Sequence, residues 1–422
     1  MLMKIKKIFG AEVLDSRGTP TVECIVELDS GIAASAIVPS GMSTGSHEAL
    51  ELRDGKKRFN GKGVEKAAGN ITKKISKLAI GKNPSEQRKL DGLMIDLDGT
   101  KNKRKLGSNA ILASSLAIAR AGALSKKIEL YEHLGKLANR PPNSLPVPFA
   151  NIINGGLHAG TKLKIQEFMI APVGARRFSD GVLMVAETYQ TLKAELKANY
   201  GNFAVNVGDE GGFAPPLANT NEALEFLQHS IEKAGYSKQI KIAIDAAASE
   251  FYKNGKYIVD EKTHDEGEMV DFYSDLAKTY GLISIEDPFS EDDWEGFAEL
   301  TGKIGSKVQI VADDLTVTNV ERIRKAVEKK AANCLLLKVN QIGSLSESIS
   351  AANFAFDNKW KVMVSHRSGE TEDAFIADLA VALQCKQIKL GAPCRGERTA
   401  KYNRLLRIER ILGSKARYGW KR

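Results

Sequence analysis

The sequence predicts an α/β protein, with an N-terminal α+β domain followed by a β/α barrel. Three observations carry this expectation. Eight short apolar runs follow residue 148, and from the third onward each is separated from the next by a helical stretch. The chain has 422 residues, more than the ~250 of one barrel, so a smaller domain accompanies it. The segment 139–148 holds four of the twelve prolines and divides two textures of sequence. Proline neither continues a helix nor donates to a sheet, so this segment reads as a linker between domains 1–138 and 139–422.

The first forty residues read as strands. Residues 21–28 form a β-rich run, Asp29-Ser30-Gly31 supplies a turn, and 32–38 form a second apolar run. Helical periodicity follows at 64–78, 86–97, 107–124 and 130–137. The eight barrel runs are 149–153, 165–170, 240–244, 282–285, 308–312, 334–337, 361–364 and 387–388. The first two lie close together with no helix between them, and two helical stretches, 180–199 and 220–234, precede the third. Alternation of this kind means a parallel sheet, and eight strands suggest closure into a barrel. No repeat of fixed period and no low-complexity tract interrupts the pattern.

Composition narrows the function classes. Hydrophobic residues at 43% and charged residues at 27% exclude disordered, collagen-like and coiled-coil chains. The net charge of +9 permits attraction to an anionic substrate and requires no nucleic acid. The four cysteines, Cys24, Cys334, Cys385 and Cys394, form no CxxC pair. This argues against zinc-ribbon and thioredoxin readings and fits a reducing cytoplasm. The first ten residues carry lysines with no apolar core after them, unlike a signal peptide. The span 106–124 contains Asn109 and Arg120 and reads as a packed helix rather than a membrane insertion.

The barrel runs end in reactive residues: Asp245, Glu286, Asp313, Lys338, His366-Arg367-Ser368 and Lys389. They are spaced about one βα unit apart, so six successive strands aim them into one mouth, the face where barrel enzymes keep their sites. An Asp after a strand is often only the N-cap of the next helix, but six positions in register exceed what capping explains. Three converging carboxylates repel one another unless a cation joins them, and oxygen-only ligands suit Mg²⁺ better than zinc. A lysine ending an apolar strand is costly to bury without anionic partners. Beside a metal and a second lysine, its proton affinity should fall, as a general base requires. Three loops also look chemical: 207–213 with Asp209 and Glu210, 154–158 ending in His158, and 39–45 with its hydroxyls and glycines.

Other motifs carry less. Residues 55–62 approximate a P-loop, but the glycine spacing is one too long and Gly63 replaces Ser/Thr. Lys162-Leu163-Lys164 matches the paired-lysine base of barrel racemases. His133, His229 and His264 sit in ordinary helical or loop contexts. Ser290-Glu291-Asp292-Asp293 starts a helix, where Ser caps and acids favour the dipole.

Taken together, these residues resemble the enolase family. The matching stretches are Asp15-Ser16-Arg17-Gly18, 40–45 with His47-Glu48-Ala49, 151–156 with His158-Ala159, and Gln166-Glu167-Phe168-Met169. Further on come 208–212, Asp245 with Ser249-Glu250-Phe251, 284–289, Ala312-Asp313-Asp314-Leu315, 338–344, 365–373, and Lys389 with Gly391-Ala392-Pro393. They run in order from about residue 3 to residue 411.

The resemblance implies a barrel of order ββαα(βα)₆ and the reversible dehydration of 2-phosphoglycerate to phosphoenolpyruvate, with two Mg²⁺ per site. It implies that Asp245, Glu286 and Asp313 hold the tighter metal and that Ser43 holds the second. Lys338 matches the general base, and Glu210 the general acid, supported by Glu167. Lys389 would hold the substrate carboxylate, while Arg367 and Ser368 would hold the phosphate, Ser368 lying just before a helix. Gln166, His158 and His366 would line the site. The family also implies a homodimer or an octamer. Departures from its pattern are Thr19, Met42, Leu157, Cys394 and Gly396, none of them at a ligand or catalytic group. Two alternatives remain: a racemase-like relative using Lys162 and Lys164, and a non-catalytic role of the same fold.

Overall fold

The computed structural model describes residues 3–41, 45–55 and 57–420, without the His158 side chain. Met42 and Ser43 therefore lie outside the described residues, as does the His158 imidazole.

The N-terminal part opens with an antiparallel sheet of β1 (Ile5–Leu14), β2 (Pro20–Leu28) and β3 (Ala33–Ile37), in that order. Helices α1 (Gln87–Asp98), α2 (Ser108–Ser125) and α3 (Leu130–Ala138) follow. The small side chains of α2 let it approach β2 and β3 closely, and nearly all of it is buried. That is why this helix shows so little amphipathic contrast.

The barrel strands are β4 (Val147–Asn154), β5 (Glu167–Ala171), β6 (Lys241–Asp245), β7 (Ser284–Glu286), β8 (Gln309–Ala312), β9 (Cys334–Leu337), β10 (Lys361–Ser365) and β11 (Gln387–Lys389). They close in the ring order β7-β8-β9-β10-β11-β4-β5-β6. The expected all-parallel sheet needs one correction. Strand β5 runs antiparallel to both β4 and β6, because the short connection from β4 has no room for a crossover helix. Helices α4 (Phe178–Tyr200) and α5 (Thr220–Lys233) then precede β6. After it, each strand is followed by one of α6 (Glu266–Tyr280), α7 (Trp294–Ile304), α8 (Val320–Glu328), α9 (Leu345–Asp357), α10 (Phe375–Ala382) and α11 (Gly396–Leu412). The order is therefore ββαα(βα)₆.

Two further differences have local causes. The proline-rich segment is no free linker: Ser144–Leu145 pairs with Arg417–Tyr418, and Pro148 lies inside β4. A three-stranded antiparallel sheet, Tyr252–Lys253, Lys256–Val259 and Lys262–His264, is inserted after β6 and places His264 on a strand. The barrel floor is filled by Val147, Phe149, Met169, Ala243, Val311 and Leu336, and Trp420 packs on Phe149 with ring centroids 5.5 Å apart. That packing leaves the opposite mouth for chemistry.

Candidate active site

The mouth of the barrel is a cleft lined by Gln166, Glu167, Glu210, Asp245, Asp313, Lys338, His366, Arg367, Ser368 and Lys389, together with Asp287 and Asp314. Asp245, Glu286 and Lys389 are the last residues of β6, β7 and β11, and Glu286 lies laterally beside Asp245. Asp313, Lys338 and His366 come directly after β8, β9 and β10. The reversal of β5 puts its first residue, Glu167, at this same mouth, paired with Asp245 across the ladder. The structure thus gathers the described residues expected from sequence, while Ser43 and the His158 side chain fall outside the description.

Glu210 arrives from the glycine-rich loop after α4. Gly208 N–H donates to Gly212 O, Phe213 N–H to Ile152 O, and Ala392 N–H to Glu210 O. A Cβ on Gly212 would lie 2.1 Å from Asn154 Oδ1, so only glycine lets the loop seat on β4. Asn151 of β4 donates from Nδ2 to Glu210 Oε2 at 3.1 Å.

Charge is concentrated and paired. Lys389 is buried, with Nζ 2.8 Å from Asp245 Oδ2, 2.8 Å from Glu286 Oε1 and 3.1 Å from Glu167 Oε2. Burial by itself would lower its proton affinity, but these carboxylates win and hold it well above the usual lysine range. Lys338 pairs with Asp313. Lowered affinity is expected of Lys338 beside a metal; in the ion pair burial pulls its affinity down, yet Asp313 outweighs burial and raises it. Asp313 is in turn held below its ordinary value, burial being overcome by Lys338.

Several carboxyls go the other way. Burial, then the charge of Glu210, pushes Glu167 well up; burial, then Asp245, does the same to Glu286. Burial and Asp313 bring Asp314 to about 8.

Sequence reasoning missed the supporting residues. Gln341 donates from Nε2 to Asp313 Oδ1 at 2.8 Å. Asp287 accepts the backbone N–H of Asp313 at 2.8 Å and of Asp314 at 2.9 Å. Glu48 clamps Arg367 at 3.0 and 3.2 Å, and Asn340 Oδ1 accepts from Arg367 Nη1 at 3.1 Å. The available signals were adjacency, since Asp287 follows Glu286 and Asn340 and Gln341 follow Lys338, and the presence of Glu48, Asp287, Asn340 and Gln341 inside the family-like stretches, which gave them no role. Ser368 needs a correction. It sits in a loop beside the Ser40–Gly369 bridge, well before α10 begins at Phe375, so no helix N-terminus serves it. At the start of α7 the cap is Asp293, accepting from Gly296 N–H at 3.0 Å, rather than Ser290.

The donor set fits a divalent cation. Asp245, Glu286 and Asp313 are hard oxygen donors converging on one buried place, and Glu286 Oε2 has no hydrogen-bond partner among the described residues. The carboxyls that approach one another most closely in this arrangement are Asp287, Asp313 and Asp314, with oxygens within 4.8 Å. Asp287 already uses both oxygens on backbone N–H groups, whereas Lys389 draws Asp245 and Glu286 toward itself. Lys162 and Lys164 are exposed and do not line the cleft, which removes the paired-lysine reading.

Comparison with known proteins points the same way. Residues 5–134 match the family model "Enolase, N-terminal domain", and residues 142–422 match "Enolase, C-terminal TIM barrel domain". The enolase of Methanocaldococcus jannaschii is 57% identical over 410 residues, covering 97% of this chain and 96% of that protein.

Proposed function

The chain belongs to the enolase family, and on that premise we propose how its residues divide the work of a phosphopyruvate hydratase. The enzyme is a glycolytic lyase that reversibly dehydrates 2-phosphoglycerate to phosphoenolpyruvate and uses a divalent metal. Asp245, Glu286 and Asp313 would hold one Mg²⁺ and Ser43 the other. Bound there, Mg²⁺ supplies positive charge that offsets the doubly anionic enediolate.

Lys338 takes the proton from C2. In the structure Lys338 is ion-paired with Asp313; with Asp313 engaged on a metal, that carboxylate would hold the Lys338 proton less tightly. Lys389 receives the substrate carboxylate, and Arg367 with Ser368 receives the phosphate. Gln166, His158 and His366 orient the substrate. Glu210 protonates the departing C3 hydroxide. Glu167, pushed up by burial and by Glu210, helps keep a proton in this carboxyl pair.

One observation carries the division. In the closed ring, β5 with Glu167 lies four strands from β9, which precedes Lys338. Glu210 is anchored to Asn151 of β4, three strands from β9 in the same ring, so base and acid reach the substrate from separate elements.

Adding 2-phosphoglycerate and Mg²⁺ should produce growing absorbance at the phosphoenolpyruvate band. Chelation should abolish it and Mg²⁺ restore it; full turnover of the metal-free protein would refute the metal assignment. We further place the domain boundary at 138/139 and the enzyme in the cytoplasm as a homodimer or octamer, which sedimentation would decide. No described helix is long and apolar enough to cross a membrane.

A further inference from the structure

Glu210 has a buried neighbour with no role so far. Arg398, in the first turn of α11, is fully buried. Its Nη1 donates to His366 Nδ1 at 2.6 Å and to the Arg367 carbonyl at 2.6 Å. Its Nη2 donates to the carbonyls of Ser368 at 2.6 Å and of Asp209 at 2.9 Å. One guanidinium thus ties the loop carrying the acid to the loop carrying His366, Arg367 and Ser368. The packing is close: a Cβ on Gly391, at φ +75°, would meet Glu210 O at 2.6 Å, His366 Cε1 at 3.0 Å and Arg398 Cδ at 3.2 Å.

A guanidinium has donors and no acceptor, and it stays protonated. The imidazole nitrogen facing it must accept, so His366 Nδ1 carries no hydrogen. Burial, opposed by Glu210 and reinforced by Arg398, brings His366 down to about 4, so the ring is neutral near pH 7. Its one hydrogen is on Nε2. That nitrogen lies 3.4 Å from Glu210 Oε2 and makes no closer bond among the described residues.

We propose that Arg398 is a positioning residue for the dehydration step: it locks His366 as the Nε2–H tautomer, which donates toward Glu210 and cannot take the acid's proton. Asn151 donates to the same oxygen, Oε2. Asn151 and the His366 N–H thus both face Oε2 of Glu210 and bring no acceptor to it. In the other tautomer, the bare Nε2 would accept the proton of Glu210 and blunt the acid. The inference rests on Glu210 being the acid.

The test is nitrogen-15 NMR of the Mg²⁺-loaded protein labelled at histidine, with His366 identified by its loss in His366→Gln. The expected spectrum at about pH 7 has a hydrogen-bearing Nε2 and a bare Nδ1. A hydrogen on Nδ1, or on both nitrogens, overturns the proposal without any Arg398 variant having to fold. In Arg398→Lys and Arg398→Met, the two tautomers should mix. Product formation should then fall at least ~10-fold, while exchange of the C2 hydrogen with solvent stays within ~3-fold of wild type. Equal loss of both activities would make Arg398 merely architectural and overturn the positioning role. Failure of the parent reading looks different: Glu210→Gln would keep forming product, whatever tautomer His366 shows.

Discussion

Lys338 leaves β9 facing Asp313, whereas Glu210 rides on a glycine-rich loop seated against β4. Two groups on separate elements should be separable by mutation. Lys338→Ala should lose both product formation and C2 hydrogen exchange with deuterium, because no group remains to take that proton. Glu210→Gln should lose product formation but keep measurable exchange through the enediolate. Each loss should be at least ~10²-fold, as for removal of a general acid or base. Deuterium incorporation read by NMR decides it, and wild-type exchange in Lys338→Ala would reverse the assignment. The proposed metal ligands offer a second residue-scale expectation. Asp245→Ala should weaken Mg²⁺ binding, measured by titration calorimetry, and should also strip Lys389 of one of its carboxylate partners. Unchanged Mg²⁺ affinity would exclude Asp245 as a ligand.

At the scale of elements, the loop carrying Glu210, the proposed acid, depends on contact distances that leave no room for a side chain. The missing Cβ of Gly212 would fall 2.1 Å from Asn154 Oδ1 and 3.0 Å from Asn151 O. Gly212→Ala must therefore push the loop off β4, at ~1–3 kcal/mol for overpacking. We expect a lower urea midpoint and reduced product formation, with C2 exchange closer to wild type because β9 is untouched. If product formation is unaffected while stability drops, the loop does not set the position of Glu210. The reversed strand β5 works at the same scale: an antiparallel run brings its first residue to the mouth, where every parallel neighbour brings its last.

At the scale of the whole molecule, pH acts through buried histidines as well as through carboxylates. His133 on α3 is fully buried with neither ring nitrogen hydrogen-bonded. Burial, then Lys126 and Lys136, lowers it from 6.5 to about 4. The folded state thus binds this proton less readily than the unfolded chain does. The stability involved is present in full above pH 6.5 and is lost as pH falls toward 4. The shift corresponds to about 3 kcal/mol at the acid end. Urea midpoints at about pH 7 and pH 4.5 should show a smaller acid loss in His133→Leu than in wild type. An equal loss in both would mean that His133 is already satisfied in the folded state. The two parts of the chain also share this scale, since Arg120 of α2 pairs with Asp373 and Glu48 clamps Arg367 across the interface.

What the sequence determined by itself is whatever is written locally. Runs such as Cys334-Leu335-Leu336-Leu337 ending in Lys338 mark both a buried strand and the charged residue that leaves it. Helical periodicity placed α2, α4 and α5 within a residue or two of their observed ends. The register of reactive strand ends named the mouth because a closed barrel brings all such ends to one face. Tertiary structure alone decided what depends on direction and on distant partners. The sense of β5 follows from a loop too short for a crossover, and the placement of Ser368 follows from the pairing of Ser40 with Gly369. Glu48 reaches Arg367 across 319 residues of chain, and Arg398 reaches Asp209 across 189. Alternation and spacing have no access to such contacts, because they arise only when closure of the barrel packs remote loops together. The same closure sets the charge partners: lowered affinity is expected of Lys338 beside a metal and a second lysine, whereas the ion pair with Asp313 raises it, because the attraction of a buried carboxylate exceeds the cost of burial.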